Sequence, residues 1–189
     1  MDVHHLQVEL IRLITDIRNE EFLKHIRAFI QEKEIDKTEQ SFSETSFWKV
    51  IEQLDWEATE ANDVLAPAVQ YLSYFSSDHI LKFYDLLSEK LYLLDGEQYA
   101  DFSVQEEDSF SADLFLYARC AVVANGRNFY ENVLNHPKHF PKNLYFEALL
   151  DLPSRAYALR EKHPLNYVPK FMYETGFNVE GWGEKAIQL

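Results

Sequence analysis

Cysteine, glycine and long apolar runs are all scarce in this sequence. A single cysteine, Cys120, excludes an internal disulfide and is typical of a reducing compartment. The few glycines form neither a phosphate-binding loop nor a dinucleotide fingerprint. The most apolar stretch, residues 114–124, contains Arg119 and is shorter than the roughly 20 residues of a membrane helix. The first residues lack the positive charge of a signal peptide, so we expect a cytoplasmic protein.

Basic residues are scarce in the middle of the chain. Residues 44–113 contain sixteen Asp and Glu against three Lys, a charge of −13 within a total of −14. Residues 1–43 carry −3 and residues 114–189 carry +2. The stretch 95–113 has seven carboxylates and no Lys or Arg. Such a field repels nucleic acid and anionic lipid and attracts basic proteins, so we expect neither nucleic acid nor membrane as a partner.

The apolar residues recur mainly with helical spacing, which predicts an all-α protein. Apolar residues make up 47% of the chain and aromatic residues 15%, enough for a densely packed core. We predict a single-domain, multi-helix bundle over residues 1–189. Residues 1–31 are expected to form one helix or a helix pair, residues 46–162 the helical core, and residues 163–189 an irregular aromatic tail.

The acidic stretch 95–113 is the predicted partner-binding segment. This stretch could be a solvated surface or a patch that faces a partner protein. Ordinary surfaces intersperse the two charge signs, so seven acids without a base favour the partner-facing patch. A calcium loop does not fit, because Asp95-Gly96-Glu97 places glycine second instead of sixth. An interface needs apolar anchors inside a polar rim, and aromatic residues occur within this segment. The predicted partner-binding residues are Asp95, Glu97, Tyr99, Asp101, Phe102, Glu106, Glu107, Asp108 and Phe110.

Arg119 is the most distinctive single residue, because its neighbours at helical spacing are apolar. A buried guanidinium needs a carboxylate partner, and Glu147, Asp95 and Asp85 are candidates by residue type. This interpretation makes Arg119 half of a structural ion pair. The alternative is an anion-binding pocket formed by Asp113, Tyr117 and Arg119.

No catalytic residue is predicted. Cys120 lies in an apolar helix, where burial as a small hydrophobic residue is favoured over a nucleophilic role. His136 and His139 lie close together in sequence but lack a third ligand at zinc-like spacing. We therefore expect no cofactor and no metal.

Four motifs carry a family resemblance. They are Phe47-Trp48-x-x-Ile51, Ile80-x-x-Phe83-x-x-x-Leu87, Ser111-x-Asp113-x-Phe115-x-x-x-Arg119 and Phe129-Tyr130-x-x-Val133-Leu134. Through them, residues 47–160 resemble a bacterial family known as domain of unknown function 4240. The resemblance implies a helical fold and a bacterial source but no activity. Small family members that stand alone resemble the immunity proteins that bacteria encode beside secreted antibacterial toxins.

Two functional hypotheses follow. The first is a non-catalytic immunity-type protein that binds and neutralises a cognate basic toxin through its acidic surface. The second is a small intracellular enzyme or regulator that binds an anionic ligand around Arg119. The sequence favours the first hypothesis and leaves the oligomeric state open.

Overall fold

The helical prediction can be compared with a computed structural model, which divides the chain into two units, residues 1–41 and 42–189. The structure describes residues 3–24, 26, 27, 30, 42–103 and 110–183. These residues form helices and loops and no β-strand, which confirms the all-α class. The assignment of the whole chain to one domain stays a prediction.

The first unit contains helix α1, Val3–Asp16, and a second helical segment that begins at residue 20. Non-helical residues 17–19 separate the two, so the predicted helix pair is favoured over one long helix. Asn19 caps the second segment, because its side-chain oxygen accepts a hydrogen bond from Phe22 N at 3.0 Å. No residue of α1 is buried.

The second unit contains the helical core. Its α-helices are α2 (Glu44–Ile51), α3 (Ala61–Ser73), α4 (Ser77–Leu93), α5 (Glu97–Ser103), α6 (Ala112–Ala124), α7 (Arg127–Asn135), α8 (Leu152–Glu161) and α9 (Val179–Trp182). Short 3-10 helices lie at Pro137–His139 and Glu147–Asp151. No helix of the described ranges is long and apolar enough to cross a membrane.

Serine side chains define the starts of three core helices. Ser43 caps α2, Ser76 caps α4 and Ser111 caps α6, each by accepting a hydrogen bond from a backbone N–H in the first turn. Such caps satisfy N–H groups that have no partner inside the helix. The local sequence therefore sets where these helices begin.

Helix α6 is the centre of the core. Nearly all of its residues from Phe115 to Ala124 are buried, as its apolar composition predicts. It packs against α4, α5, α7 and the 3-10 helix Glu147–Asp151, while α3 packs against α8. Aromatic pairs reinforce the core, with ring centroids 4.9 Å apart for Phe47 and Phe83. This arrangement surrounds Arg119 with neighbouring elements.

Candidate functional site

Asp95, at the end of α4, is an internal attachment point for the C-terminal segment. Its carboxylate is completely buried. It accepts hydrogen bonds from Gly176 N at 3.0 Å, Asn178 N at 3.0 Å and Trp182 Nε1 at 2.7 Å. These donors meet the need of a buried charge for partners. We call Asp95 with these three donors the Asp95 anchor.

Arg119 completes the Asp95 anchor from the side of α6. Its Nη1 lies 3.8 Å from Asp95 Oδ1, and both side chains are fully buried. The guanidinium also donates to Leu91 O, Tyr173 O and Thr175 Oγ1 at 3.0, 3.0 and 2.8 Å. Burial lowers the pKa of Arg119, and the charge of Asp95 opposes this shift. The geometry thus favours the structural ion pair, with Asp95 as the partner among the three candidates.

A close backbone approach holds α9 against the start of α5. A Cβ added to Gly181 would lie only 2.5 Å from Asp95 O. A Cβ added to Gly96 would lie 3.1 Å from Gly181 O. Gly181 needs to be glycine because a Cβ would push the two backbone segments apart, whereas a Cβ on Gly96 would make a tight contact that a small shift relieves. The contact brings Trp182 over Phe115, with ring centroids 5.9 Å apart.

Asp85 forms a second attachment point further back along α4. Its Oδ1 accepts hydrogen bonds from Tyr167 OH at 2.9 Å and Lys170 N at 3.0 Å. Lys170 Nζ lies 3.2 Å from Oδ2. Two acidic residues of the middle segment are therefore used to hold residues 167–182.

Burial corrects two of the predicted partner-binding residues. Asp95 is inside the protein, and Tyr99 is only 3% exposed, with its hydroxyl donating to Leu134 O at 3.0 Å. Neither can contact a partner at the surface, because each is enclosed by the fold. Phe110 is half-buried and packs its ring against Phe115 and Trp182. Its aromatic surface is therefore partly used within the core.

The other predicted residues of the acidic segment divide into two groups. Asp101 and Phe102 are exposed on α5, and Glu97 is half-buried at its start. Glu106, Glu107 and Asp108 lie outside the described residues. What remains of the predicted surface among described residues is a short stretch around Asp101.

Asp113 and Tyr117 do not assemble with Arg119 into one pocket. Asp113 is exposed in the first turn of α6 and forms no ion pair with Arg119 in the structure as described. Tyr117 is half-buried, and its pKa is raised, first by loss of hydration and then by the nearby carboxylate of Glu147. The three predicted residues thus face different surroundings on the same helix.

The remaining nucleophile and metal candidates have structural environments. Cys120 is fully buried, and burial raises the pKa of its thiol to about 12, although the neighbouring Arg119 charge opposes the shift. His136 and His139 have rings 5.4 Å apart, and His139 Nδ1 lies 3.1 Å from Asn132 Oδ1. Across the described ranges, no three His, Cys, Asp or Glu side chains form a group that could hold a metal ion.

Trp56 is a surface feature that the sequence interpretation missed. Its side chain is 54% exposed, whereas Trp48 and Trp182 are 3% and 5% exposed. The centroid of the Trp56 ring lies 5.2 Å from that of the Phe146 ring, so the two side chains pack together. Five exposed carboxylates lie in the same loop and the adjoining helix ends, and none forms an ion pair with a described residue: Glu52, Asp55, Glu57, Glu60 and Asp63. We call Trp56 with these five acids the Trp56 patch.

A sequence signal for the Trp56 patch existed. Between Lys49 and Lys82 there are six acids and no Lys or Arg, with a tryptophan among them. The denser run at 95–113 took precedence because its acids lie closer together. The number of acids per residue along the chain does not predict how many of those acids are exposed in the folded protein.

The helical fold and the internal ion pair of Asp95 with Arg119 define an all-α protein with a charged pair in its core. Residues 42–174 match the family model described as Protein of unknown function (DUF4240), which covers more than half of the chain. The chain belongs to this family, and the predicted resemblance is confirmed. Comparisons with curated proteins and with solved structures give no match. The Trp56 patch lies within the matched segment, whereas Gly176, Asn178 and Trp182 of the Asp95 anchor lie beyond it.

Proposed function

We propose that this protein is a non-catalytic, immunity-type binding protein that neutralises a cognate basic toxin in the cytoplasm of the bacterium that produces it. The observation that carries the proposal is the set of exposed carboxylates of the Trp56 patch, which form no ion pair with any residue that the structure describes. Unpaired acids at one place repel one another and lower the stability of the fold slightly. A cationic partner would convert this repulsion into attraction.

Electrostatic steering gives such a surface a physical role. Toxins that act on nucleic acids or nucleotides need basic grooves for their anionic substrates. An acidic protein reaches such a groove quickly and blocks it, because opposite potentials accelerate diffusional encounter. Salt screens this attraction over a Debye length of about 8–10 Å at physiological ionic strength. The association rate should therefore fall steeply as salt is added.

The alternative of an anion-binding enzyme or regulator has less support from the geometry. Arg119 is fully buried, and its terminal nitrogens already contact Asp95, Leu91, Tyr173 and Thr175. Only its Nε has no hydrogen-bond partner among the described residues, and this atom is enclosed by the fold, so a ligand from solvent does not reach it. The buried Cys120 thiol, with its raised pKa, is also unsuited to nucleophilic attack at neutral pH.

The test begins with affinity capture of the full chain from its own bacterium and identification of the bound protein. The partner is then purified, and association rates are measured by stopped-flow at low and high salt. In parallel, the partner is expressed in a susceptible host with and without this protein. We expect rapid, salt-sensitive binding and rescue of growth only when both are present.

Variants outside the Trp56 patch serve as the control. The same binding and growth measurements with Asp101→Asn and Asp113→Asn report how much exposed acids outside the patch contribute. The proposal is overturned if the purified partner is harmless to the host, or if its toxicity is unaffected by co-expression. Turnover of a substrate by the isolated protein would equally replace it with an enzymatic function.

A further inference from the structure

The exposure of Trp56 requires an explanation, because it leaves a large aromatic surface in water. The loop that carries it is not loose. Asp55 N donates to Val64 O at 3.0 Å, and Ala58 N donates to Asp55 O at 3.2 Å. Asp55 Oδ1 also accepts from Glu57 N at 3.1 Å. These bonds and the Phe146 ring fix the position of Trp56 before any partner arrives, and a preorganised anchor loses less entropy on binding.

The segment that leads to Phe146 also exposes apolar side chains. Leu144 and Tyr145, which directly precede Phe146 in the chain, are 39% and 44% exposed. Phe146 N donates to Tyr117 O at 3.0 Å, which ties this segment to α6. The aromatic support of Trp56 is thus anchored to the central helix of the core. Surface aromatics on a rigid base are typical of the residues that dominate binding energy at interfaces.

The charges around Trp56 specify the kind of partner. The five acids of the Trp56 patch are exposed and unpaired within the described ranges. The nearby guanidinium of Arg155 donates to the neutral amide Asn62 Oδ1 at 2.8 Å and pairs with none of the five acids. The local field therefore stays negative. It disfavours nucleic acid, anionic membrane and a second copy of this acidic chain.

We infer that the Trp56 patch is the docking site for an arginine-bearing segment of the basic partner. A guanidinium can stack on the indole face while its N–H groups reach neighbouring carboxylates in pairs. A lysine ammonium offers a point charge and no planar stacking surface, so it fits the same patch less well. This inference rests on the proposed binding function and adds the location and side-chain preference of the contact.

The experiment uses the full chain with two synthetic probes, an oligo-arginine peptide and an oligo-lysine peptide of equal length. Labelled peptide is titrated with protein, and binding is followed by fluorescence anisotropy at low salt. Trp emission is recorded in parallel, because Trp48 and Trp182 are buried and Trp56 supplies the solvent-accessible signal. We expect the arginine peptide to bind more tightly and to protect Trp56 from acrylamide quenching.

Two variants locate the contact. Trp56→Ala should weaken binding of the arginine peptide roughly fivefold to tenfold and reduce the preference for arginine over lysine. The pair Glu52→Gln and Glu57→Gln keeps the indole and should weaken both peptides. Phe102→Ala, which removes an exposed aromatic side chain from α5, is the matched control and should leave both affinities unchanged.

Several results would overturn the inference. They include equal binding of the two peptides, no binding of either, or an arginine peptide affinity that survives Trp56→Ala but falls with Phe102→Ala. The last outcome would place the contact on α5 and leave the proposed function intact, whereas a harmless natural partner would remove the proposed function itself. Trp56-dependent dimers in sedimentation velocity would instead identify a second copy as the occupant.

Discussion

Two acidic regions of this protein have opposite structural roles. In the Asp95 anchor, a carboxylate is completely buried and surrounded by donors from residues 176–182. In the Trp56 patch, five carboxylates lie in water without ion-pair partners among the described residues. Both regions belong to the same strongly negative segment of the sequence. The comparison shows that an acidic residue becomes structural where donors converge on it, whatever its neighbours along the chain.

The donors explain the difference between the two regions. Two backbone N–H groups, an indole N–H and a guanidinium all reach Asp95, and most come from the C-terminal segment. Within the part of the chain that the structure describes, no such segment donates to the loop of Trp56. Among the described residues, its exposed carboxylates receive one hydrogen bond, from Glu57 N to Asp55 Oδ1. The first region gains stability from its charge, and the second keeps its charge available for a partner.

The largest effect should come from neutralising the internal acid. Asp95→Asn leaves Arg119 charged and buried without a counter-charge, and removing one partner of a buried pair costs about 3–5 kcal/mol. Urea unfolding followed by circular dichroism measures this loss directly. Asp101→Asn, on the exposed surface of α5, is the control and should change the free energy of unfolding by less than about 0.5 kcal/mol. Equal losses of unfolding free energy in the two variants would contradict the distinction between a buried structural acid and an exposed acid.

The next largest effect tests how the C-terminal segment reaches Asp95. Gly181→Ala places a Cβ where Asp95 O lies 2.5 Å away, so the backbones must separate. We expect a loss of about 1–3 kcal/mol, the usual range for overpacking. Because Trp182 is normally 5% exposed, its emission should shift to the red. Val179→Ala, at an exposed position of the same turn, should leave both quantities nearly unchanged.

The sequence carried enough information for the fold class and the family but less for the Asp95 anchor. Helical spacing and the motif Ser111-x-Asp113-x-Phe115-x-x-x-Arg119 identified α6 and its buried arginine. The sequence does not decide which of three acids pairs with Arg119, because a pattern along one helix does not report contacts between distant segments. Gly176, Asn178 and Trp182, which donate to Asp95, lie more than eighty positions away in the chain, and no local spacing connects them to it.

The exposed surface was harder still to predict. Asp95 and Tyr99 were assigned to it because they lie in a charge-dense segment, and both are enclosed by the fold. Helix α5 has only seven residues, too few for its buried face to be read from periodicity. Trp56 was missed for the opposite reason, since a tryptophan is usually counted as core. Exposure depends on which segments pack nearby, and that is a tertiary property.

A third prediction uses pH to probe the interior beside the Asp95 anchor. The pKa of Cys120 is raised from 9.0 to about 12, so the folded protein keeps a proton that the unfolded chain loses. The protonated thiol therefore contributes to the free energy of unfolding. This contribution is complete below pH 9 and is lost as pH rises toward 12, by up to about 1.4 kcal/mol per pH unit. Urea unfolding between pH 9 and 11 should show the loss of stability approaching this slope, and Cys120→Ala should reduce it, leaving the part due to Tyr130 and Tyr173, whose pKa burial also raises. An unchanged slope in the variant would mean that the thiol ionises equally in both states.

The smallest effect should come from the exposed side of the comparison. Glu52 follows the last residue of α2, where negative charge opposes the helix dipole, and Glu57 lies in the loop beside Trp56. Replacing both by Gln should raise the free energy of unfolding by a few tenths of a kcal/mol at low salt, and the gain should vanish at high salt. The measurement is urea unfolding at two ionic strengths, with Asp95→Asn run in parallel. Destabilisation of more than about 1 kcal/mol would show that these carboxylates hold the fold as Asp95 does, and the distinction between a structural and a binding acid would then fail.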